Sequence, residues 1–139
     1  MTKLVPDTSI IIKGVLSASL EKGKIRAKSI VIPRFVIEEL QAQASRGLKI
    51  GFQGLEEIKR LRSVAKKKRI KLVIKGRLQT LEEIKLARSG RIDALIIDFA
   101  KKEKATLYTC DSVQALVAEA EGVKVVYVEP YERKRLRIE

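Results

Sequence analysis

Four carboxylates stand where a metal-dependent reaction could be assembled: Asp7, Glu39, Asp93 and Asp111. Each follows a short apolar run typical of a strand or lies near the start of a segment with helical periodicity. The chain around them carries 30 Lys and Arg against 17 Asp and Glu, a formal net charge of +13, and has no His. Acids that meet in space can hold a divalent cation, and a basic body around them attracts a polyanion.

The elements that must position these acids alternate along the chain, as short apolar runs followed by longer amphipathic ones. This pattern predicts an α/β fold with a mainly parallel central sheet of about five strands flanked by helices. The predicted strands are Lys3–Pro6, Ser29–Ile32, Leu72–Ile74, Thr106–Thr109 and Val123–Val128. The predicted helices are Ser9–Leu20, Arg34–Arg46, Gln53–Lys67, Thr80–Arg88, Ile92–Lys104 and Ser112–Ala120. We expect one domain over residues 1–130 and a short charged tail over residues 131–139.

Two of the acids are predicted at the same edge of the sheet. Asp7 follows the first strand and Asp111 the fourth, and in parallel α/β folds ligands bind at the carboxyl ends of the strands. Aspartate is also a preferred residue just before a helix, where its side chain accepts a backbone N–H. Either acid alone can therefore be a helix cap, but two at equivalent strand ends place two carboxylates along one rim.

The other two acids are predicted on helices. Asp93 lies in a first helical turn at the border of an apolar stripe, where it could equally be a favourable charge at a helix N-terminus, and Asp98 lies on the opposite flank of that stripe. Glu38 and Glu39 flank the apolar face of the helix after Pro33 on opposite sides. Periodicity alone does not choose between these two glutamates.

The absence of histidine narrows the chemistry. It excludes an imidazole acid/base pair, a Ser-His-Asp triad, a Cys-His pair and a His-ligated zinc site. Converging carboxylates repel one another unless a cation offsets their charge. Metal-assisted chemistry is the main route left, and oxygen ligands suit Mg²⁺ or Mn²⁺, which also bind substrate phosphate.

An uncompensated basic run supports a nucleic-acid partner. No acid interrupts ten basic residues between Glu57 and Glu82, and with only three Tyr and three Phe in the chain, phosphate contacts should provide most of the affinity. The residues predicted to bind nucleic acid are Lys59, Arg60, Arg62, Lys66, Lys67, Lys68, Arg69 and Lys71, and the run continues to Lys75 and Arg77.

Other features of the sequence indicate the cellular environment of the protein. The single cysteine, Cys110, cannot form an intramolecular disulfide and is expected to be a small buried residue. No signal-peptide shape and no apolar run approaching about 18 residues is seen, so we expect a cytoplasmic protein without membrane contact. Scarcity of thermolabile residues together with abundant charge favours a thermophilic source.

Taken with their order and spacing, the acidic motifs resemble the PIN domain, a nuclease family. The resemblance rests on PDTS, VIPRFVIEEL, RIDALIIDFAKK and TLYTCDSVQALVAEAEGVKVV, and it covers nearly the whole chain. It implies a three-layer PIN-like fold, selects Glu39 over Glu38, and makes the four acids metal-binding and catalytic in a Mg²⁺- or Mn²⁺-dependent endoribonuclease. RNA is favoured over DNA, with a 5′-phosphate product. The hydroxyls of Thr8, Ser9, Thr109 and Ser112 are expected to support the carboxylates or the phosphate, or simply to begin helices.

More narrowly, the segments around 51–57 and 80–84 are similar to the N-terminal PIN domain of archaeal PIN–KH ATPases. The chain has no GxxxxGK[ST] phosphate loop, so an ATPase region would have to lie in a longer protein. A nucleic-acid-binding or regulatory module with little cleavage, and a toxin nuclease held by an antitoxin, are the alternatives. A phosphoacceptor receiver domain is disfavoured, because Lys75-Gly76 follows the third strand where an Asp is required. Self-association is expected from the resemblance.

Overall fold

The computed structural model describes residues 2–77, 80–86 and 92–129, without the side chains of residues 84 and 86. Its centre is a five-stranded, wholly parallel sheet in the order β3-β2-β1-β4-β5. The strands are β1 (Lys3–Pro6), β2 (Ser29–Pro33), β3 (Lys71–Lys75), β4 (Thr106–Thr109) and β5 (Val125–Tyr127). The predicted α/β architecture is confirmed, and the residues that follow β1 and β4 meet at one edge because Pro6 is paired with Tyr108.

Helices form the connections between the strands and cover the sheet. They are α1 (Thr8–Lys13), α2 (Val15–Glu21), α3 (Arg34–Ser45), α4 (Lys49–Lys68), α5 (Leu81–Leu86), α6 (Ile92–Lys102) and α7 (Ser112–Ala120). None of the described helices is long and apolar enough to cross a bilayer.

The core is aliphatic. Its fully buried side chains come from the central strands and from the inner faces of the helices, among them Leu4, Ile10, Ile32, Leu40, Leu61, Ile96 and Leu107. Burial of these side chains provides the main favourable free energy, since each contributes roughly 1.5–3 kcal/mol relative to an exposed position. Cys110 is buried, as expected.

The predicted boundaries were wrong in identifiable places. The helix predicted over Ser9–Leu20 is two helices, because Gly14 adopts a left-handed conformation with φ +71° and ends α1. The helix predicted from Gln53 begins at Lys49, and the helix predicted to Lys104 ends at Lys102, since Lys104 has φ +54°. Part of the predicted Thr80–Arg88 helix and the tail 131–139 lie outside the described residues.

Candidate active site

The centre of the candidate site is the buried carboxylate of Asp7. Only 2% of this residue is exposed, and its backbone N–H donates to the carbonyl of Tyr108 at 2.8 Å. Its Oδ2 accepts hydrogen bonds from Ser9 Oγ at 2.9 Å and from Thr109 Oγ1 at 2.8 Å. Although Asp7 precedes α1, it makes no capping bond, so its side chain serves the strand ends and not the helix.

Asp111 combines the two roles that the sequence left open. Its Oδ1 accepts from the backbone N–H groups of Val113 at 2.9 Å and Gln114 at 3.2 Å, which is a helix cap for α7. Its own backbone N–H donates to Thr109 Oγ1 at 3.0 Å. Thr109 therefore links Asp7 to Asp111. Within the described chain, Oδ2 of Asp111 has no hydrogen-bond donor.

Gln114 joins the third acid to this pair. It is 4% exposed, and its Nε2 donates to the backbone carbonyl of Asp93 at 2.9 Å and lies 3.5 Å from Asp7 Oδ1. The carboxamide thereby anchors the start of α6 beside the end of β1. We did not predict Gln114 as a site residue; the available signal was a polar side chain on a helix face otherwise buried through alanines, Ala115 and Ala118.

The charges of Asp7 and Asp111 both act on the carboxyl of Asp93. Burial, followed by the charges of Asp7 and then Asp111, raises the pKa of the Asp93 carboxyl above its ordinary value. Asp93 as a whole residue is exposed, but the carboxyl itself is desolvated enough for this repulsion to act. Asp98, five residues later, instead forms an exposed ion pair with Lys102 at 3.0 Å.

Glu39 stands apart from the aspartates in this structure. It is half-buried on α3, and its Oε2 accepts a hydrogen bond from Gln43 Nε2 at 3.0 Å. Among the described residues, no hydrogen bond or charge interaction joins Glu39 to Asp7, Asp93 or Asp111. Its assignment to the site therefore stays a prediction.

Two buried oxygens near these acids lack protein partners. In the described part of the chain, the buried side-chain polar atoms without a hydrogen bond are Thr8 Oγ1 and Gln43 Oε1. Thr8 adjoins Asp7, and Gln43 is the residue bonded to Glu39. Buried polar atoms almost always have partners, so each position fits an additional ligand or water.

The fit to a divalent cation is partial. No three acidic or cysteine side chains of the described residues converge closely enough to hold one ion directly. Mg²⁺, however, usually keeps several waters and uses one or two carboxylates plus substrate phosphate. Asp7 and Asp111, whose charges both act on Asp93, suit such a water-mediated arrangement.

The supporting hydroxyls divide between the site and the surface. Ser9 Oγ also accepts the backbone N–H of Cys110 at 3.0 Å, so Ser9 and Thr109 together fasten α1 to the end of β4. Ser112 is exposed and makes no side-chain hydrogen bond with described residues. The structure thus places Ser9 and Thr109 on Asp7, and leaves Ser112 as the first residue of α7.

The predicted nucleic-acid-binding residues are all exposed but lie away from the aspartates. They occupy the outer face and last turns of α4 and the start of β3. Because α4 ends immediately before β3 begins, Lys66 to Lys71 lie at the amino edge of the parallel sheet, opposite the edge that carries Asp7 and Asp111. This separation was not apparent from the sequence.

Comparison with known proteins supplies the family context. Residues 4–120 match the family model described as PIN domain. An uncharacterized KH and PIN-domain containing protein of Methanocaldococcus jannaschii is 38% identical over 132 residues, which are 95% of this chain and 21% of that protein. The Holliday junction branch migration ATPase PINA of Sulfolobus acidocaldarius is 27% identical over 127 residues, 91% of this chain and 23% of that protein.

A solved structure extends this similarity to three dimensions. A domain of a functionally unknown protein from Methanocaldococcus jannaschii superposes with a TM-score of 0.86 at 36% identity and covers 99% of both chains. The chain spans less than a quarter of the length of the two curated relatives.

Proposed function

Because the chain belongs to the PIN domain family, whose members are typically nucleases and commonly use divalent metals, we propose that it is a metal-dependent endoribonuclease. The observation that supports this best is the shared field of Asp7, Asp93 and Asp111, with Gln114 tying Asp7 to the Asp93 backbone. In the proposed site Asp7 and Asp111 hold Mg²⁺ or Mn²⁺ directly or through water, with Asp93 as a third ligand.

In the proposed reaction, the residues of the site would each have a separate role. Ser9 and Thr109 fix the Asp7 carboxylate by donating to Oδ2, so that Oδ1, which Gln114 Nε2 approaches at 3.5 Å, keeps a lone pair for a ligand. A bound cation would supply charge neutralisation at the phosphate and acidify a water. Glu39, with Gln43 holding Oε2, would orient that water and accept its proton at Oε1. Water would attack phosphorus and the P–O3′ bond would break, with the leaving O3′ taking a proton from solvent, which gives a 5′-phosphate and a 3′-hydroxyl.

Cleavage of labelled single-stranded RNA with Mn²⁺ tests the proposal. Asp7→Asn and Asp111→Asn should each lose more than the roughly 10–100-fold that removal of a mere outer partner of a metal ligand costs. Glu121→Gln is the matched control, because Glu121 is exposed and paired with Lys101 at 3.1 Å, outside the site. Equal residual cleavage in Asp7→Asn and the control would show that the site is misassigned.

A nucleic-acid-binding or regulatory module with little cleavage is the second candidate function. Two observations support it. The exposed basic residues at the end of α4 and the start of β3 lie at the opposite edge of the sheet from the aspartates. The chain also covers only a small part of the length of its relatives. The name of one relative refers to Holliday junctions, so the binding panel should include a four-way DNA junction beside RNA. Tight, salt-sensitive binding with no Mn²⁺-dependent product in any variant favours this function over the enzyme.

A further inference from the structure

A cavity of about 500 Å³ opens between the carboxyl end of β3, the start of α3 and one side of α6. Its apolar wall contains Phe35, Leu95 and Phe99. The two phenylalanine rings meet edge to face, with centroids 6.2 Å apart and planes at 86°. Both residues are only half-buried, so part of each ring remains accessible. The volume lies within the range of about 300–1,000 Å³ typical of small-ligand sites.

The rim of the cavity carries an excess of positive charge. Four cations and two carboxylates line it. Arg77 binds Glu83 with both guanidinium nitrogens at 2.7 Å, and Lys102 binds Asp98. Lys75 binds Glu103 at 2.9 Å, just outside the lining.

Arg34 differs from these paired cations. Among the described residues, no carboxylate forms an ion pair with it, and it is the first residue of α3, directly after β2. A half-exposed guanidinium beside two aromatic rings is suited to bind a phosphate next to a stacked base.

Two elements connect the cavity to the candidate site. Its wall residues Ala94 and Leu95 directly follow Asp93 on α6. Arg34 follows β2, which pairs with β1, the strand that Asp7 follows. A strand with one phosphate at the aspartates would therefore have a neighbouring nucleotide at this cavity.

We propose that this cavity binds the base of an unpaired nucleotide adjacent to the scissile phosphate, with the base against Phe35 and Phe99 and a flanking phosphate on Arg34. The inference rests on the proposed nuclease function for its orientation, but binding can be measured without cleavage. Such a site favours single-stranded segments, because a base in a duplex would first have to break its pairing and stacking before it could enter the cavity.

The test is fluorescence of 2-aminopurine placed within short single-stranded RNA and DNA, titrated with the protein in EDTA so that cleavage is blocked. Wild-type protein should quench the fluorescence, because stacking on an aromatic ring quenches this base. Phe35→Leu and Phe99→Leu should lose most of the quenching and bind about tenfold more weakly, and Arg34→Gln should bind about tenfold more weakly. The RNA and DNA probes report which sugar the site prefers.

Phe52→Leu is the matched control, because Phe52 is 55% exposed on α4 and does not line this cavity. It should bind and quench like wild type. Thermal unfolding of each variant checks its fold, and Arg34→Gln replaces a half-exposed side chain, which keeps the test valid if a phenylalanine variant unfolds. Quenching that is unchanged in all three cavity variants, or equal with a blunt duplex, would overturn the inference.

The two proposals fail differently. Metal-dependent cleavage with no quenching by wild type would sustain the nuclease and remove the base site. Quenching that depends on Phe35 and Phe99, without cleavage under Mn²⁺, would sustain the base site and remove the nuclease.

Discussion

At the scale of single residues, Asp7 and Asp111 illustrate what sequence could and could not reveal. Both follow strands and precede helices, so their common edge was predictable from the fold class. Their bonding was not, because the donors to Asp7 come from Ser9 and from Thr109, 102 residues away. Asp111 caps its helix and Asp7 does not, a difference set by which donors the folded chain brings within reach.

Asp93 offers a prediction that separates stability from activity. Its raised pKa means that the folded protein holds this proton more tightly than the unfolded chain does. Stability from this group is therefore present at acid pH and is lost as pH rises from the unfolded value, about 4, through the raised folded value. At pH 7 without metal, ionised Asp93 is destabilising, so Asp93→Asn should match or exceed the wild-type Tm in EDTA while cleavage is lost.

The measurement is thermal unfolding in EDTA at pH 4 and pH 7, with Asp98→Asn as the control. The advantage of Asp93→Asn over wild type should shrink at pH 4, because the raised pKa of Asp93 favours its protonated form as the pH falls. A Tm at pH 7 several degrees below that of wild type and of the control would contradict the repulsion assigned to Asp93.

At the scale of elements, the buried contact between α2 and α4 escaped the sequence analysis. Glu57 bounds the basic run and looked like an ordinary helix charge, yet it is fully buried. Its carboxylate accepts from Ser17 N and Ser17 Oγ, both at 2.8 Å, and from Arg60 Nε at 3.1 Å. The break at Gly14 turns α2 so that Ser17 meets α4. Helical periodicity runs through that break unchanged, so it could not reveal this contact.

The crossing of α3 and α4 depends on two glycines. A Cβ on Gly54 would lie 2.5 Å from Leu40 Cδ2, and one on Gly51 would lie 2.6 Å from the Leu40 carbonyl and closer still to the Ala44 N. Leu40 is fully buried and cannot move aside. Because Glu39 precedes Leu40, this close packing also fixes where Glu39 stands.

Gly51→Ala should therefore destabilise the protein, by about 1–3 kcal/mol as for an overpacked core. In an open helix the same change would stabilise it by roughly 0.5–1 kcal/mol, so the sign of the effect is the test. Urea unfolding of Gly51→Ala and of Gln53→Ala, an exposed position on the same helix, provides the comparison. A stabilised Gly51→Ala protein would show that α3 and α4 do not pack so closely.

At the scale of the whole molecule, charge is divided between the two edges of the sheet. The four candidate acids follow strands or lie on the helices that leave the carboxyl edge. Each strand begins at a lysine or within two residues of one: Lys3, Lys28, Lys71, Lys104 and Lys124. Part of this division follows from the fold, because helices start at the carboxyl edge and end at the amino edge, and their dipoles favour acids at starts and bases at ends.

The net charge of +13 is larger than the placement of bases at helix ends would explain. We expect nucleic acid to bind at the amino edge of the sheet near β3. Replacing Lys68, Arg69 and Lys71 by Gln should weaken binding to single-stranded RNA and reduce the slope of log Kd against log salt by about 2, as for three lost phosphate contacts. The control replaces the exposed Lys13, Lys49 and Lys85, which removes the same charge. An equal loss in both variants would attribute binding to net charge alone.

The central claim is that Asp7, Asp93 and Asp111 form one metal site, and a crystal structure with Mn²⁺ tests it most directly. Anomalous scattering should locate at least one ion bonded to Asp7 and Asp111 directly or through water, near Thr8 Oγ1. The same data would show whether Glu39 reaches that ion's waters. Crystals at saturating Mn²⁺ with no ion at these aspartates, from protein that cleaves RNA in solution, would contradict the account.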